Sequence, residues 1–160
     1  MKTNVLFVCL GNICRSPTAE AVFRSKATAA GIIEQLLIDS CGTGGYHSGE
    51  SPDPRAQQAG KLQGYDLSSI KARKVVMSDF EKFDVILAMD KQNYSNLIAM
   101  SDRQYHHKIK LFLDYAEDCA EKEVPDPYYG GDDGFGHVID LIEQASKGLI
   151  ADIINKAQAK

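Results

Sequence analysis

Thr3-Asn4-Val5-Leu6-Phe7-Val8-Cys9, continuing as Leu10-Gly11-Asn12-Ile13-Cys14-Arg15-Ser16-Pro17, is the stretch whose reading decides the fold. Its first seven residues are an apolar run bounded by polar residues and a Gly-Asn pair, which predicts a buried β-strand. Strong helix formers follow from Pro17 to Ala30. Ser16 before Pro17, with Glu20 soon after, predicts the start of that helix: a cap, a proline in the first turn and an early acidic residue. Gly31 stops it.

Working outward, Leu36 to Ser40 reads as a second strand and runs into Gly42-Thr43-Gly44-Gly45. That glycine run opens no helix and so is not a nucleotide fingerprint. Pro54 to Leu62 is helical in composition, and Ser78-Asp79-Phe80-Glu81 predicts a capped short helix leading into a third strand, Asp84 to Met89. A helix over Lys91–Met100, a fourth strand over Lys108–Leu113 and a polar loop from Asp114 to Asp133 follow. In the last helix, Phe135 to Ala157, Val138, Leu141, Ile142, Ala145, Leu149, Ile150 and Ile153 recur at helical spacing. Strands alternating with helices predict a parallel α/β sheet covered on both faces, a doubly wound, Rossmann-like three-layer sandwich. Such sheets bind ligands at the carboxyl ends of their strands, near a switch in strand order. Cys9 to Ser16 falls there.

The chain has 160 residues, the size of one ordinary domain, and nothing in it marks a repeat or linker, so residues 1–160 are expected to form one unit. With 44% hydrophobic and 25% charged residues it supports a core rather than wholesale disorder. Its net charge of −4 argues against broad contact with nucleic acid or an anionic membrane. An anionic substrate must then be held by a local positive site. No run approaches the roughly 18 apolar residues of a membrane span, and the N-terminus lacks a signal-peptide pattern. Four cysteines are too sparse for a disulfide framework, so a cytoplasmic chain with reduced thiols is expected.

Each feature of Cys9 to Ser16 has a role if the loop wraps a phosphate. Successive backbone N–H groups of Leu10, Gly11, Asn12, Ile13 and Cys14 converge into an anion nest, and the helix N-terminus adds positive charge. Gly11 removes bulk where the chain turns, and Asn12 tolerates a left-handed conformation. Arg15 offers a planar fork to two phosphate oxygens. The same field favours the thiolate of Cys9, and the Ser16 hydroxyl is placed to donate to that sulfur. Cys9 is then a nucleophile aimed at phosphorus. The bland alternative, a buried strand-end thiol beside a solvated arginine, leaves a cation unpaired at a positive helix end.

Val8 to Pro17 resembles the phosphate-binding loop of the low-molecular-weight protein tyrosine phosphatases. Val124-Pro125-Asp126-Pro127-Tyr128-Tyr129 is similar to the Asp-Pro acid loop of that family. Ser40-Cys41-Gly42-Thr43, Asp53-Pro54-Arg55-Ala56, Lys71-Ala72-Arg73 and Met89-Asp90 match as well, so the likeness spans the chain. It implies a four-stranded parallel sheet flanked by helices, of the phosphotyrosine phosphatase I-like kind. It also implies hydrolysis of phosphotyrosine on proteins without metal or cofactor. By the same likeness Cys9 is the nucleophile, Arg15 the phosphate clamp, Asp126 the general acid and Ser16 the hydroxyl beside the thiolate. Asn12 shapes the loop and Ser40 supports it. Cys14 would trap Cys9 as a reversible disulfide under oxidation. Cys41 and Ile70 depart from the usual pattern, both peripherally.

An aryl oxide leaves poorly unless protonated, so an acid must face the nucleophile across phosphorus. Asp126, between two prolines, is the expected donor, kept protonated in the complex by the bound phosphate's charge and by burial. Tyr46, Tyr128 and Tyr129 are expected pocket walls for a flat ring; for Tyr46, ordinary packing is an equal reading. Ile13 suits an aryl ester, where related arginine phosphatases carry Thr. His47, His106, His107 and His137 show no metal-ligand spacing, so no metal is expected, and the acidic run Glu117-Asp118, Glu121, Glu123 reads as a solvated loop face. Three competitors remain: a thiol-coupled arsenate reductase, a phosphotyrosine-binding module without catalysis and a redox sensor. The first calls for a spaced cysteine pair near the third strand, and the segment from Ser78 to Met100 contains no Cys; the second needs neither Cys9 nor Asp126, and the third neither Arg15 nor Asp126. The expected partners are phosphotyrosine proteins, met by a monomer.

Overall fold

The computed structural model describes residues 2–129 and 133–159. Four strands, β1 (Thr3–Cys9), β2 (Leu36–Gly42), β3 (Val85–Ala88) and β4 (Ile109–Leu111), form one parallel sheet in the order β2-β1-β3-β4. Both neighbours of β1 run parallel to it, with Phe7 opposite Ser40 on one side and Val8 opposite Ala88 on the other. The chain thus leaves β1 towards β2 and returns on its opposite edge, which makes the carboxyl end of β1 the point where strand order reverses. Cys9 is the last residue of that strand.

Side chains on a strand alternate between faces, so a strand buried on both must be apolar throughout. In β1, Val5, Phe7 and Cys9 join one core and Leu6 and Val8 the other. The first core packs under α1 (Arg15–Ala29), α2 (Pro54–Leu62) and α5 (Asp133–Gln158). Phe7 sits there edge-on to Phe23 of α1 and to Phe112, with ring centroids 5.5 and 5.0 Å apart. The second core lies under α3 (Met77–Lys82) and α4 (Lys91–Met100), where Phe80 and Leu97 are fully buried. The expected apolar face of α5 is buried from Val138 to Ile150, with Ile139 added and Ile153 at its margin. At Gly148 this helix meets the turn Phe112–Tyr115 so closely that a Cβ would lie 1.7 Å from the Tyr115 carbonyl oxygen.

Two helix starts differ from the expectation. α1 begins at Arg15, with Cys14 as its cap residue and no side-chain cap hydrogen bond. Ser16 lies inside the first turn, and its hydroxyl is committed to Asn12, Cys9 and Cys41 instead. In α3 the helix starts at Met77 rather than after Ser78, and the Asp79 carboxylate reaches back to the Val76 N–H at 2.8 Å. β2 runs on to Gly42, and β3 and β4 are shorter than expected. α1 is also not amphipathic in its first half: every residue from Arg15 to Phe23 is buried, charged ones included. A helix enclosed on all sides shows no periodic stripe in sequence.

Candidate active site

The segment between β1 and α1 folds as a tight loop over the end of the sheet. Asn12 has φ of 57°, the left-handed turn its residue type allows. Its side chain is spent entirely on holding the loop: the amide donates to Ser16 Oγ at 2.8 Å and Ser40 Oγ at 3.1 Å, and the oxygen accepts the Arg73 N–H at 3.0 Å. From behind, the Thr43 and Gly44 N–H groups donate to the carbonyls of Cys9 and Leu10, both at 2.9 Å. A Cβ on Gly42 would stand 2.5 Å from the Leu10 carbonyl oxygen and 3.1 Å from the Asn12 nitrogen. The glycine run after β2 is therefore the backing of the loop, a function its sequence does not announce.

Cys9 is 3% exposed. Its sulfur lies 3.0 Å from Ser16 Oγ and accepts the Asn12 N–H at 3.3 Å. Among the described residues the N–H groups of Gly11, Ile13, Cys14 and Arg15 have no protein acceptor, and the start of α1 adds its dipole to them.

Arg15 is buried behind this loop. Its Nη1 donates to Asp90 Oδ2 at 2.7 Å and to the Val124 carbonyl at 3.0 Å, and its Nη2 lies 3.7 Å from Asp126 Oδ2. Burial works against the guanidinium's charge, but Cys9, Asp90 and Asp126 outweigh it and hold the group above its ordinary range. Asp90 is itself fixed as the cap of α4, accepting the Asn93 N–H at 2.7 Å. Its part in orienting Arg15 across 75 residues of chain leaves no mark in the sequence beyond the family-like Met89-Asp90 pair.

Asp126 reaches the site on a strut. Val124 donates to the Met89 carbonyl at 2.8 Å, pinning one end of its loop to the end of β3. Arg55 holds the other end, donating to the Tyr128 carbonyl at 3.1 Å and packing over the Tyr128 and Phe135 rings. Arg55 is paired with Asp53, which caps α2 and whose N–H donates to the Ile13 carbonyl of the phosphate loop at 2.8 Å. The Asp126 side chain remains about one-third exposed, and its Oδ1 accepts the Tyr128 N–H at 3.0 Å.

A cavity of about 310 Å³ opens above the loop, and Cys9, Arg15 and Asp126 all line it. Leu10, Gly11, Ile13 and Cys14 form its floor and flank; Tyr46 and Tyr128 stand at its mouth. The cavity thus collects most of the expected residues; Asn12, Ser16 and Ser40 lie behind it as buried supports. The Tyr129 side chain falls outside the described part of the structure. His47, to which its sequence context assigns no role, also lines the cavity, with its ring against Gly11 and its Nδ1 on Glu50. The Cys14 thiol is driven up to about 12, by burial first and then by Asp53, Cys9 and Asp126. Among the described residues no cluster of His, Cys, Asp and Glu could hold a metal ion, and no helix is long and apolar enough to cross a membrane.

The profile of the family described as low molecular weight phosphotyrosine protein phosphatase matches residues 4–159. A low molecular weight phosphotyrosine protein phosphatase of Schizosaccharomyces pombe is 50% identical over 150 residues, covering 93% of this chain and 96% of that one. The crystal structure of a protein tyrosine phosphatase from Entamoeba histolytica superposes with a TM-score of 0.94 at 45% identity, covering 98% of this chain and 99% of the other. YfkJ from Bacillus subtilis gives 0.92 at 41% identity, over 98% and 97%.

Proposed function

We propose a residue-level mechanism from the premise that this chain belongs to the low molecular weight phosphotyrosine protein phosphatases and is a protein-tyrosine-phosphatase, a hydrolase of phosphotyrosine proteins. Cys9 attacks phosphorus as a thiolate while Asp126 gives its proton to the departing tyrosyl oxygen; the S–P bond forms as the P–O bond breaks. Arg15 and the unpartnered N–H groups of the loop neutralise the three equatorial oxygens. In the second step the ionised Asp126 takes a proton from water, which attacks phosphorus and returns the Cys9 thiolate and inorganic phosphate.

The observation that carries this assignment is that one cavity brings together the Cys9 sulfur, the Arg15 guanidinium and the Asp126 carboxylate, from residues 117 positions apart at the extremes. The positive charge the reaction needs is present as Arg15 and backbone dipoles, so no metal is invoked. Ile13 and the aromatic mouth favour an aryl ester over a guanidinium phosphate. The chain works as a monomer in the cytoplasm, with no nucleic acid or membrane partner; its four free thiols and net charge of −4 support that setting.

The test is hydrolysis of phosphotyrosine, phosphoserine and phosphoarginine peptides with EDTA present, by the wild type and by Cys9→Ser. Phosphotyrosine is expected to be cleaved fastest, and Cys9→Ser to be inactive while keeping its fold. Turnover by Cys9→Ser, or faster cleavage of phosphoarginine, overturns the assignment.

A further inference from the structure

The Asp126 loop is tied at one end by a main-chain hydrogen bond, from Val124 to the Met89 carbonyl, and at the other by a single side chain, Arg55. We propose that Arg55 is a positioning residue for the general acid: it transmits the placement of the phosphate loop to the acid loop and so aims the Asp126 carboxyl at the departing oxygen. This rests on Asp126 being the proton donor, and it adds to that site a residue that touches no reacting atom.

The linkage can be followed bond by bond. The Ile13 carbonyl of the phosphate loop accepts the Asp53 N–H at 2.8 Å. The buried Asp53 carboxylate takes a fork from Arg55, Oδ1 from Nε at 3.1 Å and Oδ2 from Nη2 at 3.0 Å. The same Nη2 has a second hydrogen, and the Tyr128 carbonyl accepts from that nitrogen at 3.1 Å. Tyr128 in turn donates its own N–H to Asp126 Oδ1 at 3.0 Å. A planar guanidinium can serve a carboxylate and a carbonyl from one edge because its donors lie in fixed directions. Its faces are used as well: Cζ lies 5.3 Å from the Tyr128 ring centroid and 5.0 Å from that of Phe135 on α5. Arg55 hydrogen bonds hold the Asp53 carboxyl below its ordinary range, so the pair stays charged at neutral pH.

An arginine that served α2 alone would stop at Asp53. The cap of that helix is in fact made by the main chain: Asp53 Oδ1 accepts the Arg55 N–H at 2.8 Å, a bond that survives loss of the Arg55 side chain. The Asp53 to Ile13 bond is main-chain too. Truncating Arg55 therefore leaves the start of α2 and the phosphate loop in place and unties Tyr128, which carries the turn that holds Asp126.

The test compares kcat/KM on two aryl esters, since that ratio ends with departure of the phenol and leaves out the later attack of water. Phenyl phosphate needs its leaving oxygen protonated, whereas 2,4-dinitrophenyl phosphate, with a far more acidic phenol, hardly does. Arg55→Ala is expected to lower kcat/KM on the order of tenfold for phenyl phosphate, the scale of a misplaced catalytic group, and less than about twofold for the dinitrophenyl ester. Added to Asp126→Asn it is expected to cost less than about twofold on either, because the acid it aims is already gone. Equal losses on the two esters, losses that multiply in the double variant, or wild-type rates throughout overturn the proposal. So does a loss confined to phosphotyrosine peptides, which would make Arg55 a contact for the peptide. If Arg55→Ala does not fold, Arg55→Lys takes its place: an ammonium lacks the planar fork that spans Asp53 and the Tyr128 carbonyl, the same split between esters is expected, and a uniform loss or none is equally fatal. Failure of the underlying mechanism reads out elsewhere, as turnover by Cys9→Ser or as an Asp126→Asn loss that ignores the leaving group.

Discussion

The phosphate loop and the acid loop face each other across one cavity, and they are built in opposite ways. From Cys9 to Ser16 the side chains that shape the loop are buried, and the Asn12 side chain has a partner for every polar atom. Asp126 instead hangs between two pinned points, Val124 and Tyr128, with a 3.7 Å approach to Arg15 and substantial exposure. The first is a mould fixed in advance, which costs no reorganisation when charge develops. The second is a tether whose carboxylate can serve as acid and then as base. A rigid cradle with an adjustable proton carrier matches a reaction in which the phosphoryl group hardly moves while the proton changes direction between steps.

The sharpest way to break the contrast is at the residue the two regions share. Arg15→Lys keeps a charge but loses the planar fork, and should lower kcat/KM for phosphotyrosine on the order of 10³-fold. A fall below tenfold would mean that the N–H groups alone make the mould. Next, Asp126→Asn removes the proton while keeping the Tyr128 turn. It should cost about 10²-fold on phosphotyrosine and progressively less as the leaving phenol becomes more acidic, measured across a series of aryl phosphates. A loss independent of leaving group would place Asp126 outside proton transfer.

Gly42→Ala touches no substrate, yet its Cβ would press on the Leu10 carbonyl from behind. Slower turnover of about tenfold with the acid limb of the pH profile unchanged is expected, and wild-type turnover would show that the mould gives. The smallest effect is at Cys14. Held up to about 12, it is a neutral thiol at pH 8, with a thiolate fraction of roughly 10⁻⁴. In Cys9→Ser, which removes one charge that raises it but keeps burial and Asp53, iodoacetate should label it at pH 8 far more slowly than it labels Cys9 in the wild type, and faster as the pH rises. Rapid labelling at pH 8 would show that this part of the loop opens.

The same contrast separates what the sequence discloses from what it hides. β1, the phosphate loop and α5 are legible because their signals are local: an apolar run, a spaced Cys and Arg, a repeating stripe. The Asp126 loop is legible only by likeness, since a Pro-Asp-Pro turn has no chemistry of its own. Asp90, Arg55 and Gly42 show in the sequence only inside stretches matched by likeness, because the contacts that tie them to the site, with Arg15, Tyr128 and Leu10, reach far along the chain and depend on the sheet order β2-β1-β3-β4. Ser16 reads as a helix cap and is not one, for a related reason: a hydroxyl near a helix start is ordinarily spent on the backbone, and here the sulfur and Asn12 compete for it. Glu121 and Glu123, expected to be mere solvated surface, are exposed but engaged, with His137 and with the first N–H of α4.

Arg15 precedes by more than a hundred residues both the Val124 carbonyl that steadies it and its carboxylate neighbour Asp126. A ribosome emits the nucleophile more than a hundred residues before the groups that brace and complement it. The nascent polypeptide therefore carries a thiol with no competent enzyme around it until the stretch bearing Val124 and Asp126 has been made.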